Sequence, residues 1–425
     1  MRTHIANPSR QTGSILMMTL FTAMLIGIVL AGYLTLVRHQ EVAVTRSQGW
    51  NAALTMAEAG VEEALAQLNS GAASFSSDLS ANGWGPPAGG SFNLQSRALT
   101  GGRYDVRYFT NSLSPTPTIY STGYVTLPAM SATVARQVKV STKTVPLINV
   151  AVAARYGITM SSGSLSADSY NSADAAHSDN GQYPSTFSKR LNNGDVASMY
   201  GPVSFGGPNI QGDLFLGPSA TGAGGVTVSG TIYHDYNVEY PDVAAPPNAA
   251  SWAPAGVTLG KHDFGPGFGG DWWVNDSLPI VVRAGVRVRL YVATPNFNPS
   301  SIQIEGLNAF AGSLVIYQAS GSASFVGTEP VHVDSHRADC FSYYGLAGVT
   351  SVTYTGNYND FFGVIYAPSA NVMLNDGFGD MDFVGACIAR SITINGSYKF
   401  HYDENLQQSG PIRGFFAKAW EEQKQ

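Results

Sequence analysis

Cysteine is nearly missing from this sequence, and charge is scarce. Two cysteines, Cys340 and Cys387, in 425 residues are too few for a disulfide-stapled scaffold, and neither has a CxxC partner or a histidine at zinc-ligand spacing. Charged residues make up 12% of the chain, about half the share usual in soluble domains. No run of Lys or Arg reaches four residues, and the formal net charge is -6. The electrostatic footprint for nucleic acid is therefore missing, and no nucleic-acid partner is expected. GxSxG, P-loop and HExxH patterns are also absent, so the common hydrolase and nucleotide signatures are lacking and no enzyme is expected. Glycine is abundant, at 47 residues, with 21 tyrosines and 20 phenylalanines. Aromatic side chains fit a pleated surface and glycine supplies tight turns, so the bulk of the chain should be β.

One long apolar run stands apart. Ser14 to Val37 contains no charged residue over 24 positions, and as a helix it would span about 36 Å, enough to cross a bilayer. Arg38 follows it with no small-x-small cleavage site before it, so the segment reads as retained. The helical pattern continues beyond it. Trp50, Leu54, Ala57, Val61, Leu65 and Leu68 recur at helical spacing, with Glu58, Glu62 and Glu63 off the stripe. Asn69, Ser70 and Gly71 form a stop signal.

The leader MRTHIANPSRQTG, the uncharged helix that starts after Gly13, and MAEAGVEEALAQLN at Met56 to Asn69 together resemble the amino-terminal region of PilX-type minor pilins and related pseudopilins. The resemblance implies that a prepilin peptidase cuts between Gly13 and Ser14, that the freed helix packs against other pilins in a fibre, and that the stripe Trp50, Leu54, Ala57, Val61, Leu65 and Leu68, the helix's assembly face, carries and is buried by the small sheet that follows. One position departs from the pattern. Pilins usually carry Glu at the fifth mature position, where this chain has Met18. An unpaired amino group in an apolar fibre core is costly, so the resemblance implies a minor, tip or initiating subunit.

Residues 71 to 100 read as a linker. RYDVRYF at Arg103, IYSTGYVTL at Ile119 and ATVARQVKVST at Ala132 alternate at period two and predict a small antiparallel sheet within 71–147. From 148 to 405 short apolar strands are punctuated by Gly, Ser, Asn and Pro. Phe361 to Asn375 echoes Phe383 to Asn395: Gly363 aligns with Gly385, Ser369 with Ser391, and Asn375 with Asn395. That offset is about one coil of a solenoid whose coils bury their apolar faces on one another. The expected fold is mainly β with one long amino-terminal helix, a small antiparallel sheet and then a parallel β-helix or solenoid, with a β-sandwich as the alternative. The tail, 406–425, should cap the solenoid's open end. The stretch from Gly363 to Leu406 also resembles an uncharacterised β-rich domain found behind PilX-like amino termini, a resemblance that brings no activity with it.

Candidate chemistry is sparse. Asn375, Asp376, Asp380 and Asp382 offer hard oxygen ligands that could hold calcium, the one cofactor considered, and Asp380 and Asp382 could serve glycoside hydrolysis. The plainer reading is turn capping. His332, Asp334 and His336 would share one face of a strand and could ligate a metal. His401, Asp403 and Glu404 read as a terminal turn with a hydrogen-bonded histidine. Cys340 and Cys387 could form a disulfide, although an inward Cys387 behaves as a small hydrophobe. Trp252, Trp272 and Trp273 could form a glycan platform. The reading is a single-pass inner-membrane minor pilin or pseudopilin-like subunit of a type IV pilus or type II secretion-like system, with its β domain periplasmic or extracellular. The alternatives are a polysaccharide-binding adhesin and an anchored polysaccharide-active enzyme.

Overall fold

The structure is a computed structural model describing residues 12–69, 82–85, 91–111, 114–127, 132–204, 209–221, 227–357, 359–409 and 412–423. Most of the leader and most of the expected linker lie outside these residues. The chain divides into two compact units, residues 1–143 with 415–425, and residues 144–414.

The first unit is one helix and one sheet. Helix α1 runs Thr12–Asn69 and stops at the asparagine that the stop signal marks. Strands β1 (Ser91–Leu99), β2 (Gly102–Asn111), β3 (Ser114–Leu127) and β4 (Ala132–Pro146) pair antiparallel in chain order. Their alternation puts Tyr104, Val106, Tyr108, Ile119, Val138 and Val140 on one buried face against Ala57, Val61, Ala64 and Leu68 of the helix. Close approach is built in. A Cβ on Gly123 would lie 2.1 Å from the Ala53 carbonyl oxygen, and one on Gly60 would meet the Ser121 hydroxyl at 2.2 Å.

The fifth strand of this sheet corrects the sequence reading. Residues Ile412–Gln423, expected to cap a solenoid, form a strand at the β4 edge. An uncovered β4 would leave a row of unpaired amides and carbonyls. The incoming strand satisfies them, packs Phe415 and Ala417 against the helix–sheet core, and ties Phe415 to the helix end, where the Asn69 side chain donates to the Phe415 carbonyl (2.9 Å) and accepts from its amide (2.7 Å).

The second unit holds a 16-stranded sheet and a 4-stranded sheet, and the ladders between its described strands run parallel. Inward-facing Phe325, Phe341, Phe361 and Phe383 stack in a column at centroid distances of 6.3, 5.9 and 4.4 Å. Among the described residues the sandwich alternative does not occur, because the strand pairs of this unit are parallel. Stacking order departs from chain order. From Val152–Ala154 the ladder proceeds through Val196–Ser198 and Leu214–Leu216 to Ile232–Tyr233. The chain then reappears at the far edge as Ala253–Pro254 and stacks back through Gly270–Val274, Arg287–Val292, Ser313–Val326 and Phe341–Thr355. The long strand Phe361–Asp403 closes the order, with Cys387, Ile388 and Ala389 pairing with Val152, Ala153 and Ala154. The unit therefore begins and ends side by side, in the middle of its own stack.

The return crossing needs an extended strap. From Tyr233 to Ala253 the chain passes all the intervening rungs, roughly 48 Å at the usual ladder spacing, a distance residues 234–252 cover only when stretched. The strap is tied down on the way. The Tyr236 amide donates to the Leu216 carbonyl (3.0 Å), Arg155 donates to the Tyr240 carbonyl (3.0 Å), Tyr366 donates to the Pro241 carbonyl (2.7 Å), and Ser369 donates to Asp242 (2.7 Å).

Candidate assembly surface

The helix has two halves with different fates. Ala57, Val61 and Leu68 are buried in the sheet core, and Leu54 and Leu65 pack against it from partly covered positions. Five of the six stripe residues thus serve the chain's own core, the sheet packing on the stripe as the resemblance implied. Trp50 marks the changeover: it is 49% exposed, and the Arg136 guanidinium lies over its ring at 4.9 Å while donating to Glu422. Glu63, off the stripe by spacing, is held at the edge of the sheet by Arg97 and the Tyr104 hydroxyl. Burial and that carboxylate push the Tyr104 phenol up to about 12.

Toward the amino terminus the helix leaves the sheet. Ile15, Leu16, Met17, Met18, Leu20, Phe21, Leu25, Ile28, Leu30 and Leu34 are all at least half exposed. This is the one helix among the described residues long and apolar enough to cross a membrane. Along it Thr19, Ala23, Gly27, Ala31 and Thr35 recur every fourth residue on one side. The threonine hydroxyls fold back onto the helix, Thr19 donating to the Leu16 carbonyl (2.9 Å) and Thr35 to the Gly32 carbonyl (2.7 Å), so no polar group stands out from the stripe. Small residues at this spacing let helix backbones approach closely in an apolar medium. The sequence reading missed this stripe, although the small-x-x-x-small spacing was present to be counted. Gly13 and Ser14 lie within the first turns of the helix.

The other candidates separate. Asn375 donates to the Thr355 hydroxyl (3.1 Å) and accepts from the Asn395 amide (2.7 Å), forming a side-chain ladder across three rungs. Asp376 accepts from the Ser397 amide (2.6 Å), Asp380 pairs with Lys399 (3.1 Å), and Asp382 faces His401 (3.5 Å). The four do not converge, and among the described residues no group of three or more His, Cys, Asp or Glu could hold a metal ion. Each of these side chains has a partner on a neighbouring rung. His332 lies between Glu329 and Asp334, whereas His336, with a φ of 51°, turns away and stacks on Phe362 at 4.6 Å. Glu404 accepts from Ser169 and Asn193, each at 2.8 Å. Asp403 is buried, accepts from the Ser172 amide, and burial raises its carboxyl to about 6.

Cys340 and Cys387 are both free and buried. Cys340 precedes the rung of Tyr343, which pairs with that of Ile365, and Gly363 stacks in turn beneath Gly385 beside Cys387. Two rungs separate the cysteines by about 9.6 Å, beyond the Cα reach of a disulfide. The tryptophans form no common platform. Arg289 covers Trp252 at 5.4 Å, and the adjacent Trp272 and Trp273 face opposite sides of one strand.

A family model described as "Domain of unknown function (DUF7305)" matches residues 274–409. The match contains the stretch from Gly363 to Leu406 and extends it amino-terminally over earlier rungs. No curated protein matches the chain. Among solved structures, the crystal structure of the competence-associated pilin ComZ from Thermus thermophilus is similar at 14% identity, covering 87% of this chain and 96% of that chain with a TM-score of 0.29.

Proposed function

We propose that this chain is a membrane-anchored, minor pilin-like structural subunit that joins a type IV pilus or a type II secretion-like fibre through its amino-terminal helix. The single observation that supports this reading is the division of α1, with its carboxyl-terminal half committed to the sheet and its amino-terminal half apolar, uncharged to Val37 and uncovered. Such a helix rests in lipid until a second apolar environment, the bundle of like helices in a fibre, replaces it. The inner membrane is the proposed site before assembly, with both β units on the far side. The parallel ladders of residues 144–414 are read as coils of a β-solenoid carried by the subunit. The proposal assigns the chain no catalytic activity and no cofactor.

Prepilin-type processing between Gly13 and Ser14 is part of the proposal. Its test is Gly13→Trp and the mass of the membrane-extracted protein. Processing predicts that the wild type lacks residues 1–13, that the variant keeps them, and that the variant fails to enter fibres. Equal masses with unaltered fibre incorporation would refute it.

A further inference from the structure

The head, the five-stranded sheet of the first unit, has a second face, away from the helix, and that face holds a hollow of about 250 Å³. Its origin is in the sequence of β3, where Tyr120, Thr122 and Tyr124 share one side of the strand. The short threonine, bonded to the Gln137 side-chain amide at 3.0 Å, forms a floor between two tyrosines. Asn93 and Asp105 close one side, and Arg107 stands at the rim with its guanidinium 5.3 Å from the Tyr120 ring centre.

We infer that this hollow binds a single neutral sugar ring. The volume is below the range of drug-sized pockets, which suits one ring. The lining excludes other ligand classes. Asp105 already accepts from the Ser96 amide (2.7 Å) and pairs with Arg103 (3.2 Å), so a phosphate or carboxylate would meet a carboxylate and a metal ion would meet guanidinium groups. An apolar ligand would strip water from the Asn93 and Gln137 amides without replacing their hydrogen bonds. Sugar hydroxyls donate and accept at once, which matches a lining of amides, a carboxylate, phenols and a guanidinium. The Arg103 guanidinium covers one face of the Tyr124 ring at 4.0 Å, so the C–H face of the sugar is matched by the Tyr120 wall. Gln137 donates to Thr122, which leaves its amide oxygen to accept from a sugar hydroxyl. Arg107 has no carboxylate within ion-pair distance among the described residues, so its donors are available to ring oxygens. The site lies wholly in the first unit and does not depend on the assembly role.

The test uses the full chain in detergent micelles with the methyl glycosides of glucose, galactose, mannose and N-acetylglucosamine, read by saturation-transfer NMR and titration. At least one glycoside binds with a Kd of about a millimolar, and Tyr120→Ala and Gln137→Ala each weaken it about tenfold while the melting curve stays in place. Gln137→Ala keeps the test open if removal of a tyrosine unfolds the sheet. The inference is overturned if no glycoside binds the wild type up to about 100 mM, or if a bound glycoside keeps its affinity in both variants.

Discussion

The imidazole of His401 lies 2.5 Å from the carboxylate of Asp168, a residue 233 positions away in the chain. The pair bridges the junction at which the last rung of the parallel unit meets the first, where His401 and Asp168 are ladder partners. Asp382 faces the other ring nitrogen at 3.5 Å, Tyr183 stacks on the imidazole at 3.6 Å, and Arg190 and Lys399 lie near the two carboxylates. Burial opposes the charge on His401, but the two carboxylates outweigh it and hold the imidazole above its ordinary 6.5. A raised folded-state value means that the charged junction stabilises fully below that ordinary value and less as pH rises through the folded one. Unfolding free energy should therefore fall as pH rises above 6.5. Asp403 and Asp195, raised by burial to about 6, act earlier, between 3.8 and about 6. His401→Gln should flatten the upper limb of the profile and cost about 3 kcal/mol at its acid end. Denaturant unfolding across pH measures both effects, and an unchanged upper limb in the variant would count against the junction's role.

The asparagine ladder gives a second expectation. Asn375→Ala leaves the Asn395 amide and the Thr355 hydroxyl each short of a partner, a loss of about 1–2 kcal/mol. Because the acidic side chains of this turn bind one another's rungs, chelator and added calcium should leave the melting temperature of the wild type unchanged. A calcium-dependent rise would revive the metal reading.

Gly123 sets how closely helix and sheet approach. Gly123→Val places side-chain atoms where the helix backbone lies, 2.1 Å from the Ala53 carbonyl oxygen, and should destabilise the head by about 2–3 kcal/mol or more. Protease sensitivity of the β1–β4 region should rise while the protein still partitions into membranes. Retained resistance would mean the sheet can shift to accommodate the side chain.

On the exposed half of the helix, Gly27→Leu and Ala23→Leu should leave insertion into lipid and head stability intact and reduce recovery of the subunit in sheared fibres several-fold. The small-residue spacing matters only when another helix is present, so a variant that assembles normally would show that the stripe does not face its neighbours.

Much of this architecture was readable from local pattern. The helix end at Asn69, the period-two strands and the echo between Phe361 and Asn395 all depend on neighbouring residues, and each reappears. Gly385 stacks on Gly363 so closely that a Cβ would sit 1.8 Å from the Gly363 oxygen, and Asn395 bonds Asn375 as aligned. Ser391 bonds Asn371 (2.7 Å) rather than matching Ser369, because the coil shortens earlier than the alignment placed it. Non-local pairing was not readable. Nothing in IRGFFAKAW indicates that its partner is β4, and the reversed stacking order depends on a strap whose anchors, Leu216, Arg155, Tyr366 and Ser369, are scattered over the chain. The stripe from Trp50 to Leu68 was legible as an amphipathic face, and the family resemblance, more than the periodicity, pointed to the chain's own sheet as what covers it.

The chain leaves the sheet after β4 and returns as the next strand, so the parallel unit is an insertion between two neighbouring strands. The two attachment points adjoin at the centre of the stack, so rungs can be gained or lost beside Tyr233 or Ala253, at its outer limits, without widening the gap the sheet must bridge. The parallel stack can lengthen or shorten while the helix and its five-stranded sheet stay the same.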